Sequence, residues 1–187
     1  MKKSVLILGN NPAADMVVKQ LNEKQQYNVT QIKQGDFTDH ATYFNLDPEI
    51  SIIVSFIGPQ DVDLAIQELF DAVRGQQIKI EHFIMLSTAG IDNEVIGKLN
   101  YPGVKDVTEY LREQRYAIKI IDEAEIPYTV FRLVDLLVKK TGAGYTINEG
   151  KPVPAGNVSY ETVAAFVVQA VTQNKFINQS VALLEDS

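Results

Sequence analysis

The sequence has 187 residues, 45% of them hydrophobic, and a formal net charge of −7. That length suits one domain, that apolar content supports a packed core rather than a disordered chain, and that acidity argues against a broad basic face for nucleic acid or anionic lipid. With no cysteine in the chain, disulfides, thiolate catalysis and cysteine-based zinc sites are excluded, and His40 and His82 lie on different predicted elements at no metal-ligand spacing.

The amino end reads Met1-Lys2-Lys3-Ser4, then an apolar run at residues 5–8 that stops at Gly9-Asn10-Asn11-Pro12. The run is too short for a secretory core, and no stretch nears the roughly 18–20 apolar residues that span a bilayer. The expectation is therefore a cytoplasmic protein with no membrane partner. An uninterrupted apolar run ending at glycine predicts a strand buried on both faces of a parallel sheet. Pro12 suits the first helical position and Asn11 its cap. Ala14, Val17, Val18 and Leu21 then give the stripe of a helix lying on that sheet.

The alternation continues. Residues 27–33 predict a strand, Gly35-Asp36 a turn, and the segment to Leu46 a short helix. Residues 51–57 predict a buried strand ending at Gly58-Pro59. Val62, Ile66, Leu69 and Val73 mark a helix stopped by Gly75. Residues 82–86 predict a strand that runs into Ser87-Thr88-Ala89-Gly90. Val107, Leu111, Ile118 and Ile121 mark a long helix, and residues 128–134 another strand. Val163, Ala164, Val167, Ala170 and Val171 mark the last helix, and residues 180–184 the last strand. Strand–helix alternation throughout predicts a single α/β domain over residues 1–187. Its architecture would be a doubly wound, mostly parallel sheet of the Rossmann type, with helices on both faces.

In such sheets ligands bind beyond the carboxyl ends of the strands, which directs attention to loops 9–11, 35–39, 58–61 and 87–92. Glycine at three of these strand ends allows tight turns and close approach of a ligand. The plainer alternative is that each glycine serves only its own turn.

The order of these segments resembles the atypical short-chain dehydrogenase/reductases, the group with NmrA-like regulators and bacterial NAD(P)H-flavin reductase-like proteins. Gly35-Asp36-Phe37-Thr38-Asp39 is similar to the family's Gly-Asp-apolar-x-Asp turn, which contacts adenine. Ser55-Phe56-Ile57-Gly58 resembles the strand end beside the adenosine half of the cofactor. Phe83-Ile84-Met85-Leu86-Ser87-Thr88-Ala89-Gly90 resembles the strand with the family's active-site serine. Pro127-Tyr128-Thr129-Val130-Phe131-Arg132 resembles the Tyr-Thr-Ile-x-Arg-Pro strand, with Leu133 where proline is usual. Ser159-Tyr160-Glu161-Thr162-Val163-Ala164 resembles the late Ser-Arg-Glu-Asp-Val-Ala helix start. The resemblance implies NAD or NADP as cofactor, held by Gly9, Asn10, Asn11, Asp36, Phe37, Phe56, Ile57, Gly58, Ser87 and Thr88. It also implies catalytic roles for Ser87 and Tyr110, and hydride transfer to a small acceptor such as a flavin or quinone. Assembly as a homo-oligomer stays open.

The departures matter as much. The family's phosphate loop reads Gly-x-x-Gly-x-x-Gly, and here its glycine positions hold Gly9, Pro12 and Asp15. Proline has no N–H to offer a pyrophosphate, and a carboxylate in the first helical turn competes with a bound anion for the helix dipole. The plainer reading of Asp15 is that it stabilises its own helix. Only about ten residues separate the end of the first helix from Gly35, which leaves room for one strand where the family has two. No acidic residue or arginine stands clearly at a strand end to choose between NAD and NADP. The family's Tyr-x-x-x-Lys pair corresponds to Tyr110 and Gln114, and glutamine cannot stabilise a tyrosinate by charge. Tyr101-Pro102-Gly103-Val104-Lys105 has the same spacing, but proline and glycine make it a poor helix. Two functions stand side by side: an NAD(P)H-dependent reductase, and a non-catalytic sensor or interaction protein that kept the fold and lost cofactor affinity.

Overall fold

Strand β1 (Lys3–Leu8) is buried from Ser4 onward, as its apolar run requires. The computed structural model, which describes residues 2–186, places this strand inside a seven-stranded sheet. Helix α1 (Pro12–Asn22) follows, with Pro12 in its first turn. The Asn11 side chain accepts the Ala14 N–H at 2.8 Å, the cap that the sequence predicts. Next come β2 (Tyr27–Ile32), a 3-10 turn (His40–Tyr43), β3 (Ile50–Ser55), α2 (Val62–Gly75) and β4 (His82–Thr88). Then follow β5 (Val95–Ile96), α3 (Val107–Glu123), β6 (Tyr128–Leu133), β7 (Asp135–Leu137) and β8 (Gly144–Asn148). The chain continues through β9 (Val153–Pro154), β10 (Asn157–Ser159), α4 (Tyr160–Gln173) and β11 (Gln179–Glu185).

The sheet order is β2-β1-β3-β4-β6-β11-β8. Every neighbouring pair is parallel except β8, which runs antiparallel to β11 at one edge. The fold is thus the doubly wound, mostly parallel α/β architecture. Its topological switch point lies between β1 and β3, where ligand crevices open in such sheets. One strand alone, β2, occupies the interval between α1 and Gly35, as the short spacing implies. Alternating side chains divide the core in two. Val5, Ile7, Val54, Ile84 and Phe131 face α1 and α4, while Leu6, Leu8, Ile53, Phe83 and Val130 face α2 and α3.

Several expectations are corrected. Gly75 does not stop α2; it is the last helical residue, and Gln77 makes the left-handed exit at φ 57°. The third strand ends at Ser55 rather than residue 57, so Phe56 and Ile57 lie in the loop. Strand β4 runs through Thr88, which makes Ser87 and Thr88 strand residues rather than turn residues. The buried line of α3 is Gln114, Ala117 and Ile121, with Val107 exposed. Residues 135–159 hold four short strands that the sequence does not announce. Three of them enter parallel two-stranded pairings, β7 with β10 and β9 with the earlier β5.

Candidate functional site

Two adjoining clefts lie along the carboxyl ends of the parallel strands. One, of about 470 Å³, is lined by Gly9, Asn10, Lys33, Gly35, Asp36, Phe37, Phe56, Ile57 and Gly58 among others. The other, of about 590 Å³, is lined by Asn10, Asn11, Phe56, Gly58, Pro59, Ser87, Thr88 and Tyr110, with Tyr101, Asp135 and Tyr160 beyond them. Asn10, Phe56, Gly58 and Pro59 belong to both. Every residue singled out from the sequence for cofactor or catalysis therefore lines one cleft or the other.

The first turn is set by a close approach. Gly9 adopts φ +99°, and a Cβ there would lie 2.9 Å from the backbone carbonyl of Phe56. Only glycine lets the loop after β1 pass that closely over the loop after β3. Beyond it, α1 offers an anion few donors. Pro12 has no N–H, the Ala14 N–H goes to the Asn11 side chain, and the Asp15 N–H goes to the Asn11 carbonyl. Ala13 has the one first-turn N–H with no recorded partner among the described residues.

Asp15 is not a bare carboxylate. Its Oδ1 pairs with Lys33 Nζ at 2.9 Å, both side chains being about half exposed. The hydrogen bond from Lys33 holds the Asp15 carboxyl below its ordinary range. Lys33 lies one residue past β2 and lines the 470 Å³ cleft. Sequence reading missed it by running the second strand one residue too far; a boundary at Ile32 would have left a cation standing at the strand end. In the next turn Asp36 accepts from the Thr38 N–H at 2.9 Å and from the Thr38 hydroxyl at 2.6 Å. Asp36 thus shapes its turn, and Phe37 packs against the lower core.

At the other end Ser87 is buried and donates its hydroxyl to Gln114 Oε1 at 2.8 Å. Gln114, where the wider family has lysine, thus holds the serine rather than the tyrosine. Burial pushes Tyr110 up to about 12, against the opposing influence of the Thr88 side chain, so its phenol keeps its proton at neutral pH. Arg115, on the next helical position, pairs with Asp92 at 3.5 Å and lends Tyr110 no charge. Tyr101 lies in the turn before α3, donates to the Ala89 carbonyl at 3.2 Å and packs with its ring tilted against Tyr110 at 5.6 Å. Its hydroxyl fills the space that a side chain on Gly90 would need.

Behind this end lies a charge pair with no sequence signature. Arg132 is 1% exposed and meets Glu94 at 2.5 Å. Glu94 also accepts from the Gly90 and Asp92 N–H groups, at 3.0 Å each. Burial alone would raise its carboxyl; those N–H groups and the Arg132 charge outweigh it and hold it low. The partners are 38 residues apart in the chain, and only the β4–β6 pairing brings them together. A similar device closes the far wall. Burial works against Glu185 too, yet donors from Ser159 and Thr141 hold its carboxyl far below the usual range.

A profile of the NAD(P)H-binding family matches residues 13–174, most of the chain. The chain belongs to the NAD(P)H-binding family. Three solved structures show how widely this NAD(P)H-binding fold is shared. A Rossmann-fold NAD(P)-binding family protein from Shigella flexneri is 21% identical with a TM-score of 0.76, over 100% of this chain and 95% of its own. A short-chain dehydrogenase/reductase from Veillonella parvula, solved in complex with NADP, is 18% identical with a TM-score of 0.78, over 100% and 96%. A protein provisionally assigned as an NADH-flavin reductase, from Streptococcus pneumoniae, is 16% identical with a TM-score of 0.66, over 98% and 100%. No curated protein matches the chain. Identities this low speak for the fold alone, which is the fold that the resemblance implies. Among the described residues, no helix is long and apolar enough to cross a membrane. No cluster of three His, Asp or Glu side chains is set to hold a metal either.

Proposed function

We propose that the chain binds NADH or NADPH across the carboxyl ends of β1 to β4 and reduces a small acceptor such as a flavin or quinone. The observation that carries this reading is the continuity of the two clefts over the switch point. A hollow at Gly35 to Phe37 lies at one end, and buried Ser87 with half-buried Tyr110 at the other. The two clefts together are lined by every residue that the resemblance assigns to the cofactor, and the donors are sparse only where the pyrophosphate would lie. Asp36 and Phe37 would flank the adenine, Asn10, Asn11 and the Ala13 N–H would meet the phosphates, and Ser87 and Thr88 would meet the nicotinamide. Lys33 is placed for a 2′-phosphate, which favours NADPH.

When bound, the reduced nicotinamide supplies a hydride to the acceptor. Ser87 commits its proton to Gln114, so its oxygen offers lone pairs and suits the amide N–H of the nicotinamide. Tyr110, kept neutral by burial, serves as a hydrogen-bond donor to an acceptor oxygen rather than as a tyrosinate base. The accompanying proton enters from solvent through the open mouth of the cleft. Calorimetric titration with the four dinucleotide forms, followed by acceptor-dependent oxidation of the reduced form that binds, tests the reading. Failure of all four to bind would overturn it.

A second reading, a sensor that binds dinucleotide weakly and does no chemistry, is favoured by one observation. The first turn of α1 has given most of its donors to its own cap. Binding of NADPH with no oxidation in the presence of quinones or flavins would select it.

A further inference from the structure

The acceptor end of the cleft is distinguished by its charge. Its walls mix aromatic and apolar side chains, with Phe56, Tyr101, Tyr110, Leu136 and Tyr160 prominent, and uncharged polar ones such as Asn100 and Asn157, and they include no lysine or arginine. The one charged lining residue is Asp135. Its carboxylate is fixed by the Asn100 N–H at 2.8 Å and the Asn100 side-chain amide at 2.7 Å. A smaller hollow of about 240 Å³ shares Pro59, Val104 and Tyr110 with this end, and there Asp61, Asp106, Glu109 and Glu113 outnumber Lys105. Apart from Lys105, the nearby positive groups are matched. Arg132 is buried against Glu94, and the Ser159 N–H at the start of α4 donates to Glu185 at 2.9 Å.

We infer that this end of the cleft selects an uncharged planar ring compound and turns away acceptors carrying a carboxylate, sulfonate or phosphate. An anion entering here would leave water for a lining rich in rings and meet a fixed carboxylate with no cation in that lining, whereas a neutral ring gains contact with Tyr101, Tyr110 and Tyr160. A low-dielectric hollow rimmed by one sign of charge also repels like charge on approach. The inference rests on reading this cleft as an acceptor site, and it ranks quinones and phosphate-free flavins above flavin mononucleotide.

Dinucleotide-free protein is titrated with menadione and, separately, with naphthoquinone sulfonate, each followed by quenching of tyrosine fluorescence. The expected result is menadione binding about tenfold tighter at low salt, with the gap narrowing as added salt screens the carboxylates. Asp135→Asn should narrow the gap as well. Leu136→Lys, at a side chain 40% exposed and so tolerant of change, should reverse the preference. Equal or tighter binding of the sulfonate by the parent overturns the inference, as does no binding of either compound or no response to Leu136→Lys. The dinucleotide titration separates the two readings. Charge selection without dinucleotide binding removes the reductase and leaves the selective pocket, and dinucleotide binding without quinone binding does the reverse.

Discussion

The two ends of the cleft are built differently. At the dinucleotide end the polar contacts are local and wet: a self-capped helix start, an Asp36–Thr38 turn and a half-exposed Lys33–Asp15 pair. At the acceptor end they are long-range and dry: Ser87 to Gln114, Arg132 to Glu94, Ser159 to Glu185. A buried pair holds its geometry because breaking it strands a charge, whereas an exposed pair trades partners with water at little cost. The acceptor end is thus preorganised, and the dinucleotide end is adjustable.

The largest expected effect comes from breaking the dry end. Glu94→Ala leaves the Arg132 guanidinium buried and uncompensated, and should lower stability by about 3–5 kcal/mol. Denaturant unfolding measures it; a loss under about 1 kcal/mol would show the pair to be no anchor.

Acid offers a stress centred on the strand the two ends share. His82, at the foot of β4, has its pKa lowered to about 4 by burial, with a smaller push from the Lys3 charge. The unfolded chain therefore takes up this proton before the folded one does. Stability is fully present above about pH 6.5 and falls as the pH drops toward 4, by up to about 3 kcal/mol. Glu185 and Glu94, both held low when folded, add their losses as pH falls through the ordinary carboxylate range and below it. Chemical denaturation at a series of pH values should show the first decline in the parent and lose it in His82→Gln. A parent curve flat between pH 7 and 5 would count against a neutral buried histidine.

A smaller effect sharpens the other side of the comparison. Pro12→Gly with Asp15→Gly restores an N–H donor and removes a carboxylate from the helix start, so dinucleotide affinity should rise about tenfold. Because Asp15 also holds Lys33, the gain for NADPH should exceed that for NADH. The melting temperature of the free protein should fall, since glycine is poor in a helix and proline suits its first turn. Calorimetry and a melting curve on the same samples test both; unchanged affinity would mean that the loop already grips phosphate by another route. The smallest effect is expected from Asp15→Asn alone, whose exposed ion pair should change stability by less than about 1 kcal/mol in thermal unfolding.

The central strands were legible because burial on both faces writes an unbroken apolar run, and the turns because glycine and capping asparagine have few other uses there. Strands β5, β7, β9 and β10 were not, since two or three residues carry no periodicity. The inner face of α3 misled for a physical reason. Gln114 is 2% exposed because Ser87 supplies its hydrogen bond, and hydrophobic patterning cannot see a polar residue satisfied by a distant strand. The same applies to Glu94 and Arg132. Their pairing follows from the register that sets Ser87 beside Arg132, and register is a property of the folded sheet.

The strand order carries a consequence for how the protein is made. β11 separates β6 from β8 in the sheet and is the last of the three to leave a ribosome. By the time residue 133 has emerged, β2, β1, β3, β4 and β6 form an unbroken parallel series. β8, which emerges next, has no neighbour to pair with until β11 follows, and Thr141 and Ser159 likewise wait for the Glu185 carboxylate. During synthesis the adenine-side hollow can therefore take shape while the far wall of the acceptor pocket is still missing. A nascent chain halted between those two moments should hold a nucleotide before it can hold a ring.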